Sequence, residues 1–291
     1  GSLLIGTHGG TIHCLRGAEE IGGREPLHAG PRFPETDTRA PAPEELPAVL
    51  DLLAEHHVGK GYALVLGDGD ARFAEGLAAR TRLHVVCVLD DPGSAQRERE
   101  RLLDRTRLYG SRLCVLAPSG NARPVLPQYF ANLVVVRDDP ETLSGKALYR
   151  VLRPCGGVMC FPDLSRPAAE EALEDAGIPE AFLHPWRNSL AVVRGKLPGA
   201  FDWNSMAACD ERLRWPLELL WFGGPGPARL PGRQLCGTPV AAEGRYFVFS
   251  RTGIIAMDAY NGCELWTGEG PEPLPARLPP ARSIAANDED V

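Results

Sequence analysis

The chain has no apolar run near the roughly 18 residues that a membrane-spanning helix needs, so no membrane span is expected. It also lacks an excess of basic residues. Thirty-one Lys and Arg stand against 38 Asp and Glu, for a net charge of -7. Phosphate binding needs a basic surface, so a nucleic-acid partner is not expected. There is no Cys-x-x-Cys pair among the eight cysteines. Cys14, Cys87, Cys114, Cys155, Cys160, Cys209, Cys236 and Cys263 are scattered, which predicts buried thiols and neither a zinc site nor a disulfide framework. No basic-then-apolar start is present, so no signal peptide is read there. Ser-His-Asp, phosphate-loop and metal-ligand patterns are absent too. His8 and His13 read as ordinary turn and strand residues.

What remains is a chain of 291 residues, enough for about two domains, with 44% hydrophobic and 24% charged residues. Its pattern divides it into five stretches. Residues 1–17 contain "LLIGTHGGTIHCLR", which reads as a β-hairpin. Residues 18–43 are rich in Gly, Pro and charge, as linkers are. Residues 44–197 alternate helix and strand. Residues 198–267 read as short strands, with turns at "EG", "RTG" and "YNG". Residues 268–291 are Pro-rich and then acidic, a tail or linker.

In the long middle stretch, "APEELPAVLDLLAEHHVG" predicts an amphipathic helix with acidic residues in its first turn and a stop at Gly59. Its buried face is Leu46, Val49, Leu50, Leu52 and Leu53. "YALVLG", "HVVCVL", "RLCVLAP", "ANLVVVR", "GGVMCFP" and "SLAVVRG" read as strands. "ARFAEGLAART", "SAQRERERLLDRTRLYG" (closed by Gly110), "SGKALYRVL" and "AAEEALEDAG" read as helices. Apolar strands alternating with helices predict an α/β fold, a parallel sheet covered on both faces.

The first strand runs into Gly67, Asp68, Gly69 and Asp70 before the next helix. Glycines there let backbone N–H groups approach a ligand, with a helix N-terminus behind them. The structural reading of the same residues is a tight strand-to-helix turn.

This middle stretch resembles class I S-adenosylmethionine-dependent methyltransferases. Gly67 and Gly69 match the first two glycines of the family's Gly-x-Gly-x-Gly loop. "LPQYFANLVVV" resembles the approach to the fourth strand, and "ALYRVLRPCGGVMCF" a helix–turn–strand that often reads "RVLRPGG". The resemblance implies a Rossmann-like sheet and S-adenosylmethionine as cofactor. The third glycine falls at Ala71, and Val65 stands where an acid is frequent. Asp68 and Asp70 add negative charge that suits an ammonium or sulfonium and repels a carboxylate. The acid that grips the ribose aligns with Leu89, with Asp90 and Asp91 directly after it. The residue that meets the adenine amine aligns with Pro118, with Ser119 and Asn121 as substitutes. Arg137, Asp138 and Asp139 stand where substrate contacts often sit, and their structural reading is a solvated turn before Pro140. Tyr109, His184 and Trp186 are further pocket candidates, for which core or surface packing is the simpler reading.

The stretch "GIIAMDAYNGCELW" resembles the repeat of quinoprotein-like β-propellers, with Ala256, Asp258, Gly262 and Trp266 at the repeat's spacing. Residues 1–17 resemble it more loosely. The resemblance implies a partial propeller flanking the α/β domain, completed by further blades or a second copy, and no pyrroloquinoline quinone. "WPLELLWFGGPGP" has the look of multidomain bacterial proteins with such an inserted domain. Two main functions follow, with one further option. One is methyl transfer to an unidentified small-molecule or protein acceptor. The other is a degenerate methyltransferase fold serving as an interaction or structural module. Binding of a different nucleotide through the same loop is a third. Unpaired cysteines favour the cytoplasm, whereas quinoprotein-like propellers are often exported.

Overall fold

The computed structural model describes residues 2–6, 12–16, 40–118, 125–138, 144–203, 219–226, 229–230 and 239–269. At the start, β1 (Ser2–Gly6) pairs antiparallel with β2 (Ile12–Arg16), the hairpin that the sequence predicts. His13 lies on β2, and His8 lies outside the described residues.

Helix α1 (Leu46–Glu55) follows the linker. Pro47 stands at its start, and Glu44 and Glu45 precede the first turn rather than occupying it. Leu46, Val49, Leu52 and Leu53 are buried as expected, and Leu50 is half-buried. The helix ends before Gly59, because His57 already takes the left-handed conformation (φ 55°). The last linker residues pack onto the domain: the Arg80 guanidinium donates to the carbonyls of Ala40 and Pro41 at 3.0 and 2.9 Å.

The elements then alternate. They are β3 (Lys60–Leu66), α2 (Arg72–Arg80), β4 (Arg82–Val88), α3 (Pro92–Arg105), β5 (Leu113–Leu116) and β6 (Ala131–Val136). After these come α4 (Gly145–Val151), β7 (Gly157–Cys160), α5 (Arg166–Ala172), β8 (Leu183–Trp186) and β9 (Ser189–Arg194). Helix α3 ends at Arg105, short of Gly110, where Asp91 caps its start by accepting from the Ser94 N–H.

These strands form one seven-stranded sheet in the order β5-β4-β3-β6-β7-β9-β8. β3 to β7 run parallel, while β9 runs antiparallel to both β7 and β8. The sheet is therefore mixed, which corrects the all-parallel expectation. Strand β8 is an edge element that the sequence reading did not contain. Alternate β3 residues face opposite sides. Ala63 and Val65 join the cluster under α1, α2 and α3, while Leu64 and Leu66 join the cluster under α4 and α5. Both layers are closed by fully buried side chains such as Phe73, Leu77 and Leu148. Burying each such side chain contributes about 1.5–3 kcal/mol. This is a Rossmann-like α/β sheet with helices on both faces.

The C-terminal part is a separate four-stranded antiparallel sheet in sequence order: β10 (Val240–Ala242), β11 (Arg245–Phe249), β12 (Gly253–Asp258) and β13 (Glu264–Glu269). Its turns fall at the three predicted places. A closed propeller is not formed by the described residues. Trp266 lies on the outer strand, half-exposed, with its ring 6.0 Å from that of Phe247. A different tryptophan meets the repeat's glycine. Trp221 lies against Gly262 and donates its indole N–H to the Ala259 carbonyl at 2.9 Å.

This sheet is joined to the α/β sheet by a buried polar seam at the amino ends of β3 and β6. Asp258 accepts from Arg153 Nε at 2.5 Å and from Asn132 Nδ2 at 3.0 Å. Asn261 donates to Asn132 Oδ1 at 2.7 Å and to the Phe130 carbonyl at 2.9 Å. Asn132 Oδ1 also accepts from the Tyr62 N–H, and Arg153 reaches the Gly244 carbonyl. Gly61 makes room for this: a Cβ there would stand 1.9 Å from Asn132 Oδ1. Arg153 belongs to "RVLRPCGG" and Asp258 to "AMDAYNG", so the two most specific motifs of the sequence are the two halves of one interface.

Candidate functional site

In an open α/β sheet, ligands bind outside the carboxyl ends of the strands where the strand order reverses. Here that place lies at the end of β3, between β4 and β6. Four of the predicted residues, Gly67 to Asp70, form the β3–α2 loop there. Gly67 and Gly69 have φ of +70° and +67°, and Ala71 follows at +53°. The backbone of a three-glycine loop is thus retained, and Ala71 bears the strain of a left-handed residue with a Cβ, about 1–2 kcal/mol.

The two glycines serve different ends. A Cβ on Gly67 would stand 2.7 Å from the Asp138 backbone nitrogen, so this glycine lets the β6 exit loop close against the β3 loop. Around Gly69 none of the described residues lies within 4 Å of such a Cβ. That face of the loop is open to a ligand.

Asp68 turns inward. Its carboxylate accepts from the N–H groups of Phe73 (3.2 Å) and Ala74 (2.9 Å), in the first turn of α2, and from Arg137 at 2.9 Å. It therefore caps a helix whose own cap residue, Ala71, has no side chain to do so. Burial pushes the Asp68 carboxyl up to about 6, against the Ala74 N–H, the Arg137 guanidinium and the Phe73 N–H, which all pull it down.

Arg137 ties the rim together. Besides Asp68 it pairs with Asp163 at 2.7 Å and Glu45 at 3.4 Å, and its guanidinium lies 5.0 Å from the centre of the Phe73 ring. Its side chain is only 19% exposed. The solvated-turn reading is corrected for Arg137, which is held in this network; Asp138 is exposed as that reading expects, with its backbone against Gly67. Asp139 lies outside the described residues.

At the end of β4 the three aligned residues part ways. Leu89 is buried in the core and its N–H bonds to the Leu116 carbonyl, so its side chain does not reach the rim. Asp91 is engaged as the α3 cap. Asp90 is exposed and has no hydrogen-bond or ion-pair partner among the described residues. Asp70 is exposed and pairs with Arg72 at 3.0 Å. Pro118 is half-buried just beyond the end of β5, and Ser119 and Asn121 lie outside the described residues.

The remaining candidates stand apart. Tyr109 and Trp186 pack against the core, and His184 is exposed on the edge strand β8. Trp186 also lines an open groove of about 460 Å³ beside α1, with Pro47, Leu52 and Arg187. Glu45 and Asp163, which complete the Arg137 network, are absent from the sequence-level candidates. They become visible only when four loops are brought to one end of the sheet.

No family model matches the chain, and no curated protein matches it. Solved structures do. An assigned S-adenosyl-L-methionine-dependent methyltransferase of Methanococcus maripaludis is 12% identical, with a TM-score of 0.40 over 52% of this chain and 84% of that one. A SAM-dependent methyltransferase of Aquifex aeolicus is 17% identical, with a TM-score of 0.38 over 52% of this chain and 92% of that one. A geranyl diphosphate methyltransferase in complex with SAM is 14% identical, with a TM-score of 0.32 over 40% of this chain and 47% of that one. Strand order, register and the β3 loop define a Rossmann-like α/β protein.

Proposed function

We propose that the crevice at the carboxyl ends of β3, β4 and β6 holds the adenosyl part of S-adenosylmethionine, and that the chain transfers its methyl group to an unidentified acceptor. The observation that carries this reading is Asp90. It is an exposed carboxylate at the end of β4 with no partner among the described residues, one strand away from the left-handed turn at Gly69. Ribose hydroxyls donate well to such a carboxylate. Gly69 allows the ligand close to the backbone, and Pro118 would flank the adenine.

When bound, the cofactor's sulfonium supplies the electrophilic methyl group. The chain's own part is orientation and charge. Methyl transfer is largely a matter of placing the acceptor in line. Asp68, Asp163 and Glu45 around one Arg137 leave the rim net negative, which suits a cationic sulfonium.

A second reading has its own observation. The α2 N-terminus is already occupied by Asp68, which favours a degenerate fold acting as an interaction or structural module. In that case the four-stranded sheet is a propeller-like blade, completed by further blades or by a second copy. The half-exposed Trp266 on the outer strand supports that arrangement.

Calorimetric titration with S-adenosylhomocysteine separates the two. Binding that weakens about 10–100-fold in Asp90→Ala supports the first reading, since a lost charge-assisted hydrogen bond costs about 1.5–3 kcal/mol. Asp90 has no partner within the described fold, so the variant leaves folding unchanged. A folded chain that gives no heat supports the second.

A further inference from the structure

The β3 loop contains a carboxylate in the place where a loop of this shape would receive one from a ligand. A helix N-terminus with free N–H groups is an anion site. In α2 those groups are not free. The N–H groups of Phe73 and Ala74 point at Asp68, whose side chain has no exposed surface. The nearest cation, Arg137, is bonded to the same carboxylate and to those of Asp163 and Glu45. Three carboxylates around one guanidinium give a net charge of about -2 at this end of the crevice. An incoming carboxylate must displace Asp68 and enter that field. Among the described residues nothing comparable guards the β4 side, where Asp90 has no partner and no atom lies within 4 Å of a Cβ placed on Gly69.

We infer that Asp68 is the internal occupant of the crevice's anion position. The chain then takes an adenine nucleoside without a charged amino-acid tail at least as tightly as one that carries it. This rests on the proposed nucleoside site and specifies its selectivity. S-adenosylmethionine then binds through its adenosyl half, and Asp68 sets how weakly its amino-acid end is held. Asp70, the exposed carboxylate of the same loop, is already paired with Arg72 at 3.0 Å.

The test is calorimetry on the full chain with two ligands that share the adenine, ribose and thioether. These are S-adenosylhomocysteine, which has the amino-acid tail, and 5′-methylthioadenosine, which does not. The wild-type chain is expected to bind the two within about threefold of each other, or to favour methylthioadenosine. In Asp68→Ala, which frees the Phe73 and Ala74 N–H groups, S-adenosylhomocysteine is expected to gain about tenfold or more, and in Asp68→Asn, whose amide oxygen still accepts from them, it should gain less. Methylthioadenosine should move by less than about threefold. A wild-type preference of tenfold or more for S-adenosylhomocysteine overturns the role of Asp68 and leaves the nucleoside site standing. Equal changes for both ligands in the variants also overturn it. If neither ligand binds the folded wild-type chain, the site itself is refuted, and the selectivity with it. The wild-type comparison decides without any variant, so a variant that fails to fold does not block the test.

Discussion

Replacing Asp258 with alanine tests whether the two sheets unfold as one. The side chain is buried at the seam, and it is the carboxylate that faces Arg153, whose own side chain is only 8% exposed. Removing one partner of a buried ion pair costs about 3–5 kcal/mol, because the other charge is left uncompensated. Asn132 Nδ2 loses its acceptor as well, which adds about 1–3 kcal/mol. Against a total stability of about 5–15 kcal/mol, this loss is a large fraction. With a urea slope of about 3 kcal/mol/M, the unfolding midpoint should fall by at least about 1 M. The assay follows tryptophan fluorescence and far-ultraviolet circular dichroism together. Trp203, Trp221 and Trp266 lie beyond the α/β sheet in the C-terminal stretch, whereas the helices among the described residues belong to the α/β part. The two signals should shift together in a single transition. A drop below about 1 kcal/mol, or a fluorescence transition that precedes the loss of helix, refutes the seam as a shared element of stability.

Other outcomes follow from single positions. Gly69→Ala should cost about 1–2 kcal/mol from its left-handed backbone alone, whereas Gly67→Ala adds the clash with Asp138 and should cost about 2–5 kcal/mol in thermal melts. Asp68 has a folded-state value of about 6, raised from 3.8, so the folded state binds its proton more tightly. Stability should therefore fall as pH rises from about 4 to 6 and level off above that, by up to about 3 kcal/mol, and Asp68→Asn should flatten this slope in denaturant titrations. Gly262→Ala would put a Cβ 2.4 Å from the Trp221 ring, so the indole should be displaced and the emission should shift to the red. Unchanged emission would mean that the ring does not rest there.

The alternation of elements was legible because periodicity is local. "ANLVVV" is apolar on both faces, and β6 is buried throughout. "LHPW" carries no such signal: it is four residues long and contains Pro185, which only an edge strand tolerates, so β8 went unread. Its absence also hid the reversal of β9. The alignment at the end of β4 left Leu89 and Asp90 unresolved, because sequence fixes a register only to within a residue or two; burial separates them. The Arg137 network joins Glu45 and Arg137 across 92 residues, and Arg153 meets Asp258 across 105. Such contacts have no periodic trace. Each motif was visible on its own, while their meeting depended on the whole fold.

The seam also bears on inheritance. Its donors and acceptors are divided between two stretches of chain, and each stretch alone would expose groups matched to the other. An α/β domain excised at residue 197 would carry Asn132 and Arg153 without their acceptor. A transplanted β10–β13 sheet would carry Asp258 without its cation. Modules joined by apolar contact can be exchanged with modest loss, but these two are matched group by group. Exchanging one without the other leaves a buried polar or charged group unpaired, so a change on one side needs its counterpart on the other.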